Sequence, residues 1–298
     1  MSKIIHMTDL HLDGYPGNLH EVAARIQEEP VDIFLIGGDN GGDAGIARIV
    51  RLLRRARPNA GIAWVMGNHE LWNRSIDHLW RDYSHLGACY LERENLETDT
   101  CTVVGTYGHY DYSGGDPSIS HELYEQYRFK GMGWNDRHII RDRSNPEIAR
   151  EIADRFAIRY RRALARQLPI IVLMHTLAFV ELNAWGRNFY GAYGINSLIG
   201  DEILKHDTKP TALFCGHTHN PIRIETYGFP MINTGSDYEQ VRITAFEFLS
   251  GRGGSFSKPT GNSTRLEGDV VGNGAGEGEN RGRSIGKIRD ESPTPNTA

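Results

Sequence analysis

Five short apolar runs, each followed at once by a polar motif, constrain the fold of this chain more than any other feature. The runs are Ile4–Ile5, Ile33–Ile36, Ile62–Val65, Ile170–Leu173 and Thr211–Cys215. Runs of this length, with Val and Ile and a Gly near the exit, are typical of buried strands. Because ligands collect at the carboxyl ends of strands in an open α/β sheet, we expect the five polar motifs to meet at one place.

The motifs supply carboxylates, an amide and several imidazoles. In order they are Asp9-Leu10-His11, Gly38-Asp39-Asn40, Gly67-Asn68-His69-Glu70, Met174-His175-Thr176 and Gly216-His217-Thr218-His219. Two divalent cations about 3.5–4 Å apart can hold the attacking and the leaving oxygen of a phosphoryl displacement. A carboxylate suits the ligand that both ions share because it has two oxygens. Imidazoles and an amide oxygen fill the coordination and leave positions open for water and substrate.

The order of elements predicts a parallel sheet. Strand signals at 3–7, 31–36 and 61–65 alternate with helix signals at 18–29, from 43 onward and over about 71–85. Such a βαβαβ order implies right-handed crossovers. Later in the chain we expect short strands within 88–106, a helix over about 145–167 capped by Asn145, and a strand at 169–174. A helix at about 196–205, a strand at 211–215 and closing antiparallel strands at 221–225, 230–233 and 240–248 follow.

Two segments depart from this alternation. Residues 107–145 have no clean period and are dense in Gly, Tyr, Trp, His and Arg, which indicates an insert near the rim of the site. Residues 251–298 are dominated by Gly, Ser, Asn, Pro and charges, with Phe256 as their only aromatic residue. Such a segment buries too little apolar surface to offset its ordering entropy. We therefore expect one domain over 1–250 and a low-complexity, disordered tail over 251–298.

Charge and cysteine usage limit the classes of function. The 298 residues have a formal net charge of -5, which gives no general reason to expect nucleic-acid or anionic-membrane binding. No apolar run approaches the roughly 18 residues of a membrane span, and Met1 to Lys3 lead directly into a strand, so no signal peptide is expected. The 3 cysteines form an unpatterned odd set that fits a reducing compartment, and the cytoplasm is the expected location.

Taken in order, the five motifs resemble the pattern of the calcineurin-like metallophosphoesterases, which is D-x-H, G-D, G-N-H-[DE], H and G-H-x-H. The resemblance spans residues 1 to about 250 and includes Asn233 to Ser236, which is similar to the late N-x-G-S turn of that family. It implies a four-layer α/β/β/α sandwich of two mixed sheets. It also implies two divalent metal ions, Mn²⁺ or Fe in the first place, with Zn²⁺, Ni²⁺ or Mg²⁺ as alternatives that also suit N and O ligands.

The resemblance also implies a role for each motif residue. The implied ligands of the first metal are Asp9, His11, Asp39 and His219. The implied ligands of the second metal, with Asp39 as the bridge, are Asp39, Asn68, His175 and His217. A metal-bound hydroxide would attack phosphorus, and His69 would protonate the leaving oxygen as general acid. Glu70 is expected to orient this loop or His69.

Each motif alone is weak. D-x-H and G-D are common in turns, G-N-H-E could be a surface turn that leads into a helix, and a histidine after an apolar strand is usually a satisfied core residue. G-H-x-H says more, because alternate residues at a strand exit share a face. The interpretation rests on all five motifs standing in family order, each at a strand exit.

Two departures argue against phosphoprotein substrates. Protein serine/threonine phosphatases of this superfamily carry an arginine after the second motif and another after the third. Here residues 40–43 and 71–73 offer none. The candidates for an arginine that grips the phosphate elsewhere are Arg74, Arg128, Arg137 and Arg187.

Two regions are candidates for substrate recognition. In the insert, the candidate contacts are His109, Tyr110, Tyr112 and Arg128. Aromatic rings with an arginine can stack a base or a sugar and pair a phosphate; the alternative is a small hydrophobic lid core. The second region is the Gly- and aromatic-rich loop at 185–196, which is expected to be mobile. A basic helix stretch at 155–166 is better explained as a solvated face than as a nucleic-acid site.

The sequence thus predicts a hydrolase that cleaves a phosphate mono- or diester, with a small phosphodiester or nucleotide-type compound as the leading substrate. One alternative is a DNA or RNA nuclease of the repair type, which the net charge disfavours. The other is an inactive scaffold, as in a retromer coat subunit that resembles this family. Such a scaffold loses the catalytic histidine or several ligands, whereas here all are present. No membrane partner is expected, and the oligomeric state stays open.

Overall fold

A computed structural model describes residues 1–26 and 30–249 of the chain. The predicted tail at 251–298 lies outside the described residues. Within them, two large mixed sheets and a two-stranded hairpin carry the fold. No helix of the described residues is long and apolar enough to cross a membrane.

The first sheet contains the first three motif-bearing strands. Its members are β1 (Ser2–Met7), β2 (Ile33–Ile36), β3 (Gly61–Trp64), β4 (Cys89–Tyr90) and β13 (Thr244–Phe248). They lie in the order β13-β1-β2-β3-β4. Strands β1 to β4 are parallel and β13 is antiparallel to β1. Helices α1 (Asn18–Ile26) and α2 (Gly42–Ala56) connect the first three strands, so the predicted βαβαβ unit is confirmed.

The second sheet contains the other two motif-bearing strands. Its members are β5 (Leu96–Glu97), β6 (Thr102–Thr106), β9 (Ile170–Met174), β10 (Ala212–Cys215), β11 (Ile222–Thr226) and β12 (Phe229–Asn233). The order is β11-β12-β10-β9-β6-β5, with four parallel central strands and antiparallel edges. The closing strands were expected to be antiparallel, and β11 and β12 do pair antiparallel with each other, while β12 also runs parallel to β10. Helices α4 (Asn145–Ala165) and α5 (Ser197–Leu204) belong to this half.

The apolar core has an inner and an outer part. Ile4 and Leu35 of the first sheet join Val103, Ile171 and Phe214 of the second in one buried cluster between the sheets. The alternate strand residues join the helices in a second cluster. Because each central strand is buried on both faces, its sequence is a continuous apolar run. This arrangement is the expected four-layer sandwich of two mixed sheets.

The helix predicted over 71–85 is wrong. The segment forms three short 3₁₀ turns, His69–Leu71, Ile76–Trp80 and Ser84–Leu86. The backbone of Asn73 donates to His138 O at 2.8 Å and that of Ile76 donates to Ile140 O at 2.8 Å. The insert therefore takes the backbone groups that a helix would have used, and tertiary pairing overrides the local pattern.

The start of α4 also differs from the prediction. Ser144 is the N-cap, in a capping box with Glu147, and Asn145 is already the first helical residue. The Asn145 side chain is buried and donates to Tyr112 and Tyr127 at 2.6 and 2.8 Å. The Asn145 side chain therefore ties the insert to α4 instead of capping this helix.

The insert has little regular structure. It contains the short helix α3 (His121–Tyr124), a hairpin of β7 (Arg128–Phe129) and β8 (Met132–Gly133), and a 3₁₀ turn at Asn135–His138. Its rings pack with those of the 185–196 loop in a third buried cluster. The insert and this loop therefore form one aromatic unit beside the ends of the strands.

Candidate metal centre

Backbone hydrogen bonds fix the first two motif loops side by side. The Asp9 backbone N–H donates to Gly38 O at 2.9 Å, and that of His11 donates to Asp39 O at 2.9 Å. The close approach of the third loop requires glycine, since a Cβ on Gly67 would lie 2.1 Å from Asp39 Oδ1. The three loops after β1, β2 and β3 therefore converge because small residues let their backbones touch.

Five of the motif residues have left-handed backbone conformations. The φ angles are 56° for Asp9, 43° for His11, 59° for Asp39, 70° for His217 and 53° for His219. For residues other than glycine this conformation costs roughly 1–2 kcal/mol each. Strain of this kind gathers at functional sites, where the surroundings over-determine the backbone. These loops are shaped to aim side chains inward, at a cost in stability.

The structure brings all seven predicted ligands together. Donor atoms of Asp9, His11 and His219 form one group that could hold an ion, and those of Asp39, His175 and His217 form another, with the atoms of each group within 4.8 Å of one another. The amide oxygen of Asn68 lies 3.0 Å from His175 Nε2, so it adds to the second group. A third such group contains His11, Asp39 and His69.

Distances between donor nitrogens fit ligands that share an ion. His11 Nε2 lies 3.4 Å from His219 Nε2, and His175 Nε2 lies 3.2 Å from His217 Nδ1. Bonds of about 2.0–2.1 Å in tetrahedral geometry place two nitrogens about 3.3 Å apart. The donor set of imidazole, carboxylate and amide suits Mn, Fe, Zn and Ni alike. The residues therefore fit two divalent ions.

Asp39 lies between the two groups. Its Oδ2 is 3.4 Å from His175 Nε2 and 3.7 Å from His69 Nε2, and its Oδ1 accepts the His69 backbone N–H at 2.9 Å. Burial acts to raise the pKa of this carboxyl, but His69 and His175 hold it well below its usual range. A buried carboxylate between two sets of donors has the position that a bridging ligand requires.

The carboxylates make this place favourable for positive charge. Burial alone would lower the pKa of His175, yet Asp39 and then Asp9 raise it to about 9. The pKa of His217 is lowered to about 3, first by burial and then by His175. Its Nε2 lies 3.0 Å from the carbonyl oxygen of Tyr193, which fixes the tautomer and leaves Nδ1 free to bind an ion.

Glu70 holds the loops rather than the imidazole of His69. Its carboxylate, only 2% exposed, accepts backbone N–H groups of Gly67, Asp39 and Asn40, each at 2.7 Å. Three charge-assisted bonds from two loops are a strong constraint. This geometry agrees with the expectation that Glu70 orients the G-N-H-E loop.

His69 lies at the open edge of the cluster. Its side chain is 22% exposed, and its ring stacks on Trp72 with centroids 3.7 Å apart and planes 27° from parallel. An imidazole that is held beside the donors and can be reached from outside suits a general acid.

Asp136 is a buried residue of this site that sequence analysis missed. It is 0% exposed and accepts three side-chain N–H groups at 2.8 Å, from Asn68, Trp72 and Trp134. The bond from Asn68 Nδ2 turns the amide oxygen of that residue toward His175. No local signal marks Asp136 in its aperiodic segment; only its partners identify it.

The proposed contacts His109, Tyr110 and Tyr112 need correction. They are 0%, 0% and 4% exposed. His109 Nε2 lies 2.9 Å from Asn145 Oδ1, and burial lowers the His109 pKa to about 3. Rings that are already enclosed cannot touch a substrate in this arrangement, so these residues build the core of the insert. Arg128 is exposed.

Several arginines are engaged elsewhere. Arg74 pairs with Asp43 at 3.0 Å. In the basic helix stretch, Arg159 lies 3.6 Å from buried Glu92, and Arg161 lies 2.9 Å from Glu202. These contacts serve the domain itself, which weakens the case for a nucleic-acid face.

Comparisons with known proteins agree with this geometry. A family model described as calcineurin-like phosphoesterase matches residues 2–221. A protein of Bacillus subtilis (strain 168), described as the uncharacterized metallophosphoesterase YkoQ, is 27% identical over 125 residues, which are 40% of this chain and 46% of YkoQ. The crystal structure of phosphopantetheinyl hydrolase (PptH) from Mycobacterium tuberculosis superposes with a TM-score of 0.60 at 18% identity, over 82% of this chain and 95% of that one. At that identity the likeness concerns the fold alone.

Proposed function

We propose that this chain, which belongs to the calcineurin-like phosphoesterase family, hydrolyses a small phosphate ester with two divalent ions and with His69 as general acid. The first ion would be held by Asp9, His11, Asp39 and His219. The second would be held by Asp39, Asn68, His175 and His217. The convergence of donor atoms into groups that share Asp39 and His11 carries the proposal. We propose Mn²⁺ or Fe as the metal.

Bound ions would neutralise phosphate charge and lower the pKa of a bound water to near neutrality. The side chains of the protein position the ligands and the proton donor. Glu70 fixes the backbone that carries Asn68 and His69, and the Trp72 stack limits the rotation of the His69 ring. From the exposed edge, His69 can deliver a proton to the leaving oxygen, a step that typically contributes about 10²–10⁴-fold to rate.

We favour a small phosphodiester or nucleotide-type substrate over a nucleic acid. Ligands such as Asp9 and His175 are 0% exposed, so a substrate must reach the donors from the His69 side. In the arginine-rich stretch of α4, Arg155, Arg159 and Arg161 each pair with a glutamate, which reduces the positive charge that this face could offer a nucleic acid. A scaffold without catalysis would not need His69 beside a complete ligand set. We propose the cytoplasm as the location, since Cys89, Cys101 and Cys215 are all free.

The test compares bis-p-nitrophenyl phosphate with p-nitrophenyl phosphate in the presence of added Mn²⁺. His69→Ala should lose turnover, and His85→Ala, which removes an exposed histidine, is the matched control. Turnover of the diester but not of the monoester would support the leading substrate class. The proposal fails if the wild-type protein, loaded with metal, hydrolyses neither compound.

A further inference from the structure

The exposed side of the metal centre can be located from side-chain accessibility. The side chains of Asp9 and His175 are 0% exposed and that of Asp39 is 2% exposed, whereas those of His69 and His219 are 22% and 19% exposed. A phosphate ester that reaches the donors must pass between these two histidines. The groups around them therefore contact whatever is attached to the phosphate.

Four partly exposed aromatic rings lie against the histidines of the cluster, and we call them the aromatic collar: Trp72, Trp134, Trp185 and Tyr238. Tyr238 lies 4.6 Å from His11 and 5.0 Å from His219, measured between ring centroids. On the other side, the rings of Trp134 and Trp185 lie 6.0 and 5.2 Å from His217. With Trp72 on His69, the rings of His11, His69, His217 and His219 each have a collar ring as a neighbour.

The collar differs from the aromatic core of the insert. In that core, Tyr110 and Tyr124 are at most 1% exposed, as expected for packing residues. Tyr238 is 41% exposed, and the three tryptophans keep part of their surface accessible. Large rings that stay partly exposed beside a ligand cluster are available for binding, and their burial by a ligand would be favourable.

Two collar rings are also held in place. The Trp134 indole N–H donates to buried Asp136 at 2.8 Å, and the Trp185 ring meets the Trp134 ring at 67° with centroids 5.4 Å apart. A ring that is fixed before binding loses little freedom on binding, which favours recognition. Trp134 and Trp185 therefore present partly exposed rings in fixed orientations.

We propose that the aromatic collar is the specificity site of this phosphoesterase and that it takes esters whose non-leaving group carries a planar, uncharged π system, such as a nucleobase or an arene. The inference rests on the proposed function and names the substrate class for the same centre. Ions can recognise phosphate oxygens only, so discrimination between esters falls to the surrounding side chains. A single base–aromatic stack corresponds to a preference of about tenfold to a hundredfold.

The test uses three monoanionic diesters with the same leaving group. They are thymidine 5′-(p-nitrophenyl phosphate), phenyl p-nitrophenyl phosphate and methyl p-nitrophenyl phosphate. The first two should exceed the methyl ester in kcat/KM by about tenfold to a hundredfold, and a difference between them separates a base from a simple arene. In Trp185→Leu the preference should shrink by about tenfold. Trp80→Leu is the matched control, because its ring lies against Arg155, outside the collar.

Equal kcat/KM for the three diesters in the wild-type protein would overturn the proposal, as would an unchanged preference in folded Trp185→Leu. Failure of every diester to react would rule out diester hydrolysis and, if p-nitrophenyl phosphate also fails to react, would refute the proposed function instead. The collar is then judged by calorimetric titration with thymidine 5′-monophosphate and methyl phosphate. Tighter binding of the nucleotide that is lost in Trp185→Leu supports the collar, and equal binding of the two compounds rejects it.

Discussion

Replacing Asp136 by Asn keeps the shape of a fully buried side chain and changes only its hydrogen bonding. The carboxylate accepts N–H groups of Asn68 and Trp72 at Oδ1 and of Trp134 at Oδ2, all at 2.8 Å. An amide has one oxygen, so its NH₂ group must face at least one of these donors. Hydrogen bonds to a charged group are worth about 1.5–3 kcal/mol each, and we expect a loss of stability of this size.

The effect on metal binding should be selective. Asn68 Nδ2 is held by Asp136, which turns the amide oxygen toward His175 Nε2, 3.0 Å away. Groups that orient a metal ligand typically account for about 10–100-fold in metal affinity or activity. Asp136→Asn should therefore weaken the ion at Asp39, Asn68, His175 and His217 by about 10–100-fold. The ion at Asp9, His11 and His219 should change much less.

Calorimetric titration of the metal-free protein with Mn²⁺ separates the two affinities, and thermal melting reports the loss of stability. Asp111→Asn is the matched control, because that carboxylate accepts the Ser197 N–H at 2.9 Å and touches no ligand group of the centre. Two unchanged affinities in Asp136→Asn would refute the reasoning. Equal weakening of both ions would indicate general damage to the site.

Three further outcomes are expected. Asp39→Ala should weaken both ions, and full occupancy of both sites by metal analysis would rule out a bridge. His69→Ala should retain both ions but lose about 10²–10⁴-fold in kcat, with the smallest loss for p-nitrophenol esters; a loss of metal would make His69 a ligand. His109 is buried with a pKa of about 3, so the unfolded chain binds the extra proton and stability falls as pH drops below about 6.5. From pH 6.5 to 5 this histidine should lower the free energy of unfolding by about 2 kcal/mol. In His109→Gln, the free energy of unfolding measured with urea should therefore fall by about 2 kcal/mol less over this pH range.

The fold and the convergence of the motif side chains could be predicted because their signals are local. Strand β9 is buried on both faces and is therefore a continuous apolar run, and His175 follows it directly. In the same way, His217 follows β10 and Asp9 follows β1, each after one intervening residue. Parallel strands bring such exits to one edge, so a position along the chain suffices to place the side chain.

The insert could not be predicted in this way. His109 and Trp134 both stand in a segment without period, yet His109 is enclosed and Trp134 borders the opening. Which ring is enclosed depends on tertiary partners: His109 contacts Asn145, 36 residues away, and Trp134 lies beside the His217 ring. The helix predicted over 71–85 is wrong for the same reason, because the backbone of this segment pairs with the insert.

We expect that Trp72 and Asp136 together make recognition at this centre differ from that in the protein serine/threonine phosphatases of the superfamily. Those enzymes carry an arginine just after the third motif, where this chain has Leu71 to Asn73. Trp72 stacks on His69 and needs an acceptor for its indole N–H, and Asp136, 64 residues away in sequence, supplies it. An arginine here would grip phosphate by charge, whereas an indole offers only a ring face. Tyr238 and Trp185 lie beside other histidines of the cluster. Contact with the organic part of the ester would therefore take the place of that charge. We expect the organic groups of the ester, rather than the phosphate, to determine which substrate is accepted.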